Sequence, residues 1–193
     1  MELKDYSGQF NPDLKYEDLS KDFLIKLIRE YQTSYMRLNR LWYERIMAFT
    51  GQEKAMMEET VAVFTKLAHL TNPRIAKIAN IEVKDVVDVM KVWQMTLDGL
   101  MGGTWVPKFE IKNRNHVIMT VIRCGDLEHF QRWAPERIKS CCSPGGVEEL
   151  TMIPYINCFL PNAQVKMLMA PPGCGLPSKE GICCQWEYTL KSK

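Results

Sequence analysis

Residues 105–124 read WVPKFEIKNRNHVIMTVIRC and decide the fold. Apolar and charged side chains alternate along residues 105–112, which is typical of a strand with one buried face. A polar turn follows at residues 113–115, and a second strand-like run extends over residues 116–124. The stretch therefore predicts a hairpin of two antiparallel strands.

The chain before this hairpin has a helical pattern. Apolar residues recur at three- and four-residue steps from Phe23 to Phe49. Ser20 is placed to cap the N-terminus of this helix, and Gly51 is placed to end it. We therefore expect one long helix over residues 21–50.

The pattern continues in shorter pieces up to residue 100. Residues 52–70 predict a second helix, which we expect the Thr71-Asn72-Pro73 sequence to stop. A short helix over residues 73–81 and a longer one over residues 82–97 should follow. Gly99, Gly102 and Gly103 then break the helical pattern.

The chain after the hairpin mixes helices with strands. Four further segments are predicted: a helix over 126–139 interrupted near Pro135, a helix over 147–159, and strands over 165–169 and 181–191. The fold class is therefore α+β, with an N-terminal helical region followed by an antiparallel sheet of about four strands covered by helices. We divide the chain into a helical region, 1–100, and a cysteine-rich α+β region, 101–193.

Composition narrows the class of protein. The chain has 193 residues, of which 46% are hydrophobic and 25% charged, which excludes an intrinsically disordered protein. A net charge of +2 argues against general affinity for nucleic acid or anionic membranes. The sequence contains no apolar run of transmembrane length, and its first residues lack the pattern of a secretory signal. We expect a cytoplasmic protein.

The cysteines are concentrated in one part of the chain. All seven lie after residue 123: Cys124, Cys141, Cys142, Cys158, Cys174, Cys183 and Cys184. An odd number in a reducing compartment argues against a disulfide framework. Three interpretations remain open: small buried core residues, a pocket with one reactive thiol, or a metal centre.

A metal centre would have to be assembled from distant residues, because the sequence has no C-x-x-C pair. Neighbouring side chains of a strand point to opposite faces, so usually only one cysteine of each adjacent pair can join a single site. This leaves Cys124, Cys142, Cys158 and Cys184 as candidate ligands for zinc or an iron–sulfur cluster.

Candidate catalytic and ligand-binding residues follow from the same patterns. Cys124 and Cys184 are the candidate reactive thiols, and His129, about one helical turn beyond Cys124, is the candidate general base. Trp42 and Glu59 on the helices, and Trp186 on the last strand, are candidate ligand-binding residues. The ordinary alternative for each is a core or surface role.

Residues 74–93 have the lengths of a helix-turn-helix. Its second helix offers Lys84, Asp85, Asp88 and Lys91, and the two carboxylates would face phosphates. We therefore interpret this segment as a structural helical hairpin and rank a DNA-binding sensor last among the functions.

Several motifs carry a resemblance: Leu41-Trp42-Tyr43, the helix around Glu59, Ile75-Ala76-Lys77, Arg123-Cys124, and the terminal CCQWE of residues 183–187. With these the chain resembles an uncharacterised family of small prokaryotic proteins. The terminal strand is distantly similar to that of the 2-aminothiazoline-4-carboxylate hydrolase family and of vinyl-reductase-type small-molecule-binding domains. Both resemblances imply an α+β fold with a ligand pocket between sheet and helices.

The leading functional expectation is a small-molecule-binding protein with a cysteine-lined pocket. If the protein is an enzyme, the resemblance implies a hydrolase that opens a small cyclic C–N compound. The alternative is a thiolate module for a metal or a cluster. The partners expected are a small-molecule ligand and a second copy of the chain in a homodimer.

Overall fold

The computed structural model describes residues 2–97, 99 and 105–191. Gly102 and Gly103, which we expected to break the helical pattern, lie outside these residues. The helices are α1 (Lys21–Thr50), α2 (Glu53–Ile78), α3 (Val86–Gln94), α4 (Gly125–Trp133), α5 (Ile138–Cys142) and α6 (Val147–Asn157). The strands are β1 (Trp105–Asn113), β2 (His116–Cys124), β3 (Ala163–Met169) and β4 (Cys184–Leu190).

The four strands form one antiparallel sheet in the order β1-β2-β4-β3. At its centre Met119 of β2 lies between Phe109 of β1 and Trp186 of β4. The predicted hairpin and the α+β class are both confirmed. The last strand begins at Cys184, three residues later than predicted, because Gly181 has a φ of +76° and the chain is still turning there.

The core lies between one face of the sheet and the shorter helices. It contains buried side chains from α3, α4, α5, α6 and all four strands. Trp93 of α3 packs against Trp105 of β1 with ring centroids 6.1 Å apart. Since α3 belongs to residues 1–100 and the sheet to residues 101–193, the hydrophobic core crosses the proposed boundary between these regions.

The opposite face of the sheet carries polar pairs. Gln185 donates to Thr120 Oγ1 at 2.8 Å, and the His116 Nε2 lies 2.9 Å from Glu187 Oε1. The alternation read from the sequence therefore separates a buried face from a polar one.

The long helix α1 has the predicted ends. The Ser20 side chain accepts from the Phe23 amide at 3.3 Å, and Gly51 is left-handed with a φ of +61°. Within α1, Gln32 is buried and donates to the Leu97 carbonyl at 2.8 Å. The other residues of α1 are half-buried or exposed.

The prediction that α2 stops at residues 71–73 is wrong, because the helix continues to Ile78 with Pro73 inside it. Proline removes the N–H that would reach the carbonyl of His69, but His69 is exposed and water can satisfy that group. Asn72 is only 2% exposed and its amide contacts the Cys158 sulfur at 3.7 Å. Packing of α2 against α6 holds the helix together through the proline.

The next helix is shorter than predicted. It starts at Val86, after Asp85 accepts from the Asp88 amide at 3.0 Å as the N-cap residue. Six of its nine residues are buried, and Asp88 pairs with Lys91 and Arg114. This burial favours the structural interpretation of residues 74–93.

The elements after the hairpin have the predicted types and order, and their ends differ from the prediction by at most three residues. The helical stretch over residues 126–139 divides into α4 and α5 around a 3₁₀ turn at Pro135–Arg137. The helix α6 forms despite Pro154 inside it. Within the described part of the chain, no helix is both long and apolar enough to cross a bilayer.

Candidate functional site

Four cysteines meet where β2 ends and β4 begins. A cavity of about 10 Å³ is lined by Cys124, Cys142, Cys183, Cys184 and Glu148, with Trp186 and Met167 beside them. The end of β2 supplies the first cysteine, α5 supplies the second, and α6 supplies the glutamate. We call this the thiol cavity.

Two sulfurs in the thiol cavity accept hydrogen bonds from N–H groups. The Leu127 amide donates to Cys124 Sγ at 3.4 Å, because Cys124 is the N-cap residue of α4. The Trp186 indole donates to Cys184 Sγ at 3.1 Å. Burial nevertheless raises the pKa of both thiols well above their usual range. Burial in this way favours the neutral form of each thiol.

Two carboxylates lie beside Cys124. Ligand atoms of Cys124, Asp126 and Glu148 all lie within 4.8 Å of one another. Burial raises the pKa of Asp126, and the guanidinium of Arg40, 3.1 Å away, opposes that rise. We call these three residues the Cys-Asp-Glu cluster. A thiolate with two carboxylates is a donor set that can hold a divalent metal ion.

A second cavity, of about 70 Å³, is also lined by Glu148, together with residues of α1, α4 and α6. Its wall includes Asp126, Cys141, Tyr43 and Asn39. Burial raises the pKa of Tyr43 far above its usual value, with the charges of neighbouring acidic groups adding to the rise. Among the described residues, the buried amide nitrogen of Asn39 has no hydrogen-bond partner. Most of its wall is apolar, and we call it the polar pocket for the side chains of Asn39, Asp126 and Glu148 that line it.

A much larger apolar groove, of about 760 Å³, runs between α1 and α2. Trp42, Glu59, Phe49 and Val63 line it, and Trp42 is 60% exposed. The apolar groove and the polar pocket share three wall residues: Asn39, Tyr43 and Phe64. The groove therefore adjoins the polar pocket, which in turn shares Glu148 with the thiol cavity.

The structure brings together four of the eight predicted site residues, three of them cysteines. Cys124, Cys142 and Cys184 all line the thiol cavity. Cys158 lies apart from them at the end of α6, where its sulfur is 3.7 Å from the Asn72 amide and 3.2 Å from the Tyr155 carbonyl. The predicted set of four cysteines is therefore divided between two places.

The predicted ligand-binding residues and the predicted general base lie in different parts of the structure. Trp42 and Glu59 line the apolar groove, whereas Trp186 is fully buried and lies against the thiol cavity. His129 is half-buried on α4, where burial and then the charge of Arg40 lower its pKa. No hydrogen bond between His129 and Cys124 is seen in the described chain.

Sequence reasoning missed the acidic part of the site. Asp126 follows Cys124 by two residues, and Glu148 lies in the first turn of α6. The available signal was the Cys-x-Asp spacing, but only the fold shows that Glu148 reaches it. Cys183 and Cys184 both line the thiol cavity, because Cys183 precedes β4 and the alternation of a strand does not apply to it.

Comparison of the chain with protein families, with curated proteins and with solved structures found no match. The site is therefore described by its own geometry. In this α+β protein the apolar groove adjoins the polar pocket, and the polar pocket adjoins the thiol cavity.

Proposed function

We propose that this is a small-molecule-binding protein whose ligand places an apolar body in the groove and a polar group in the pocket. The observation that carries the proposal is the shared wall of Asn39, Tyr43 and Phe64 between the two cavities. A concave apolar surface with a few convergent polar groups is the usual form of a ligand site.

The size of the groove supports a small organic ligand. Its volume of about 760 Å³ lies within the range of roughly 300–1,000 Å³ that ligand sites occupy. The polar pocket, at about 70 Å³, has room for one small functional group. The unpartnered Asn39 amide nitrogen is a donor, so we infer that this group is a hydrogen-bond acceptor such as a carbonyl oxygen.

The chemistry of the buried thiols favours binding over cysteine attack. Burial raises the pKa of Cys124 and Cys184, and a neutral thiol is a poor nucleophile. We therefore propose ligand binding as the function and a cytoplasmic location, which the seven free cysteines support.

The proposal is tested with prodan, a neutral naphthalene ketone whose fluorescence shifts to the blue in apolar surroundings. We expect saturable binding with a blue shift. Val63→Glu places a charge in the groove and should weaken binding at least tenfold, which is about 1.4 kcal/mol. Leu70→Glu is the matched control, because Leu70 is also on α2 and similarly exposed, 55% against 58%, but does not line the groove.

A second variant tests the buried donor at the wall that the pocket and the groove share. Asn39→Leu removes the buried donor and should weaken prodan binding while leaving the groove apolar. Equal binding by wild type, Val63→Glu and Leu70→Glu would contradict the proposal. So would a failure to bind prodan together with a dimer that Val63→Glu converts to monomer, because the groove would then be covered by a second copy of the chain.

A further inference from the structure

The Cys-Asp-Glu cluster joins three separate elements at one point. Cys124 ends β2, Asp126 lies in the first turn of α4, and Glu148 lies in the first turn of α6. The separation of at most 4.8 Å between any two of their ligand atoms is short enough for one ion to contact all three. We propose that these three residues bind a zinc ion.

The donor set selects the metal. Sulfur disfavours Mg²⁺ and Ca²⁺, which prefer oxygen ligands, whereas an iron–sulfur cluster is held chiefly by several cysteine thiolates. One sulfur with two carboxylate oxygens suits Zn²⁺. The set differs from the four cysteines expected from the sequence, since it replaces Cys142, Cys158 and Cys184 by two carboxylates.

Charge balance supports a divalent ion. A thiolate and two carboxylates carry three negative charges when all are deprotonated. The Arg40 guanidinium, which donates to Asp126 Oδ1 at 3.1 Å, contributes one positive charge. One Zn²⁺ contributes the other two, so a partly buried cluster with no net charge results.

The N-cap hydrogen bond to sulfur is compatible with a thiolate at this position. The Leu127 amide points at Cys124 Sγ at 3.4 Å, and an N–H donor stabilises a thiolate more than it stabilises a thiol. Such contacts from outside the ligand set orient ligands and tune the metal. In the same way, Arg40 fixes the orientation of the Asp126 carboxylate.

Three protein ligands leave one position of a tetrahedral zinc ion open. Glu148 lines both the thiol cavity and the polar pocket, so the ion lies next to the proposed ligand site. Zinc binding by this cluster does not depend on the proposed ligand, and the two are measured separately.

The test is a titration of the full chain, stripped of metal under anaerobic conditions, with Co²⁺ as a spectroscopic probe for zinc. We expect one Co²⁺ per chain, a sulfur-to-cobalt charge-transfer band, visible bands of tetrahedral intensity, and displacement by Zn²⁺. Glu148→Gln and Asp126→Asn, which keep the side-chain shape, should each weaken binding at least tenfold. Cys124→Ser should abolish the charge-transfer band.

Cys158→Ser is the matched control, because this half-buried thiol lies on the far end of α6 and should leave the titration unchanged. Circular dichroism verifies that each variant is folded. The inference is overturned if folded wild type gives no charge-transfer band, or if Glu148→Gln and Asp126→Asn bind Co²⁺ as tightly as Cys158→Ser. Because prodan is absent from this titration, a wild-type chain that binds prodan but not Co²⁺ overturns the zinc site alone.

Discussion

Arg40 connects α1 to the first turn of α4. One guanidinium nitrogen donates to the Gly125 carbonyl at 3.2 Å and to Asp126 Oδ1 at 3.1 Å. The side chains of Arg40 and Asp126 are 26% and 19% exposed. Breaking a buried ion pair costs about 3–5 kcal/mol and an exposed pair contributes at most about 1 kcal/mol. For this partly buried pair we expect Arg40→Met to lower the free energy of unfolding by about 2–3 kcal/mol at pH 7.

The loss should depend on pH, because Asp126 titrates. Burial raises the pKa of Asp126 above its usual 3.8, and Arg40 opposes that rise. In Arg40→Met the pKa rises further. A carboxyl group with a raised folded-state pKa lowers stability as pH increases from its unfolded pKa through its folded pKa. The penalty is therefore largest at neutral pH and shrinks in acid, where Asp126 is protonated in the folded state.

Urea unfolding followed by circular dichroism, repeated from neutral pH down towards the unfolded pKa of 3.8, measures both effects. The control is Arg37→Met, since the Arg37–Glu30 pair is more than 60% exposed and its loss should change stability by at most about 0.5 kcal/mol. Adding Asp126→Asn to Arg40→Met should recover most of the loss, because no charge is then buried alone. Equal losses in the two methionine variants, or a loss independent of pH, would refute the reasoning.

Three further predictions concern stability, each measured as a shift in the urea midpoint. Ser20→Ala removes the N-cap of α1 and should cost about 1 kcal/mol. Ile156→Ala should cost about 2–5 kcal/mol because Ile156 is fully buried, whereas Ile78→Ala, at an 85% exposed position, should be nearly neutral. Gly146→Ala places a methyl group within 2.6 Å of a backbone oxygen and should destabilise strongly, whereas Gly8→Ala meets no atom within 4 Å; similar midpoints for the two would contradict this.

The parts of the fold that were predicted correctly depend on local patterns. The bounds of α1 follow from Ser20 and Gly51, whose capping chemistry acts within one turn of the helix. The bounds of β2 follow from alternation between a polar turn and the start of α4. Such signals are readable because the residues that decide the structure are neighbours in sequence.

The parts that were predicted wrongly depend on distant contacts. Pro73 is a local stop signal, but burial of Asn72 against the Cys158 region of α6 overrides it. The candidate site shows the same division. Clustering of Cys124, Cys142 and Cys184 was anticipated, whereas the participation of Glu148 depends on how α6 crosses the end of β2, and spacing along the chain does not encode that.

Glu148 forms part of two walls at once, since it lines both the polar pocket and the thiol cavity. The Glu148 carboxylate has one rotamer and one protonation state at a time. A ligand or ion that fixes both in one cavity therefore also fixes the carboxylate that lines the other cavity. If both cavities bind as proposed, the two binding events should be thermodynamically linked. The factor by which one occupant changes the affinity of the other equals the factor by which its own affinity is changed.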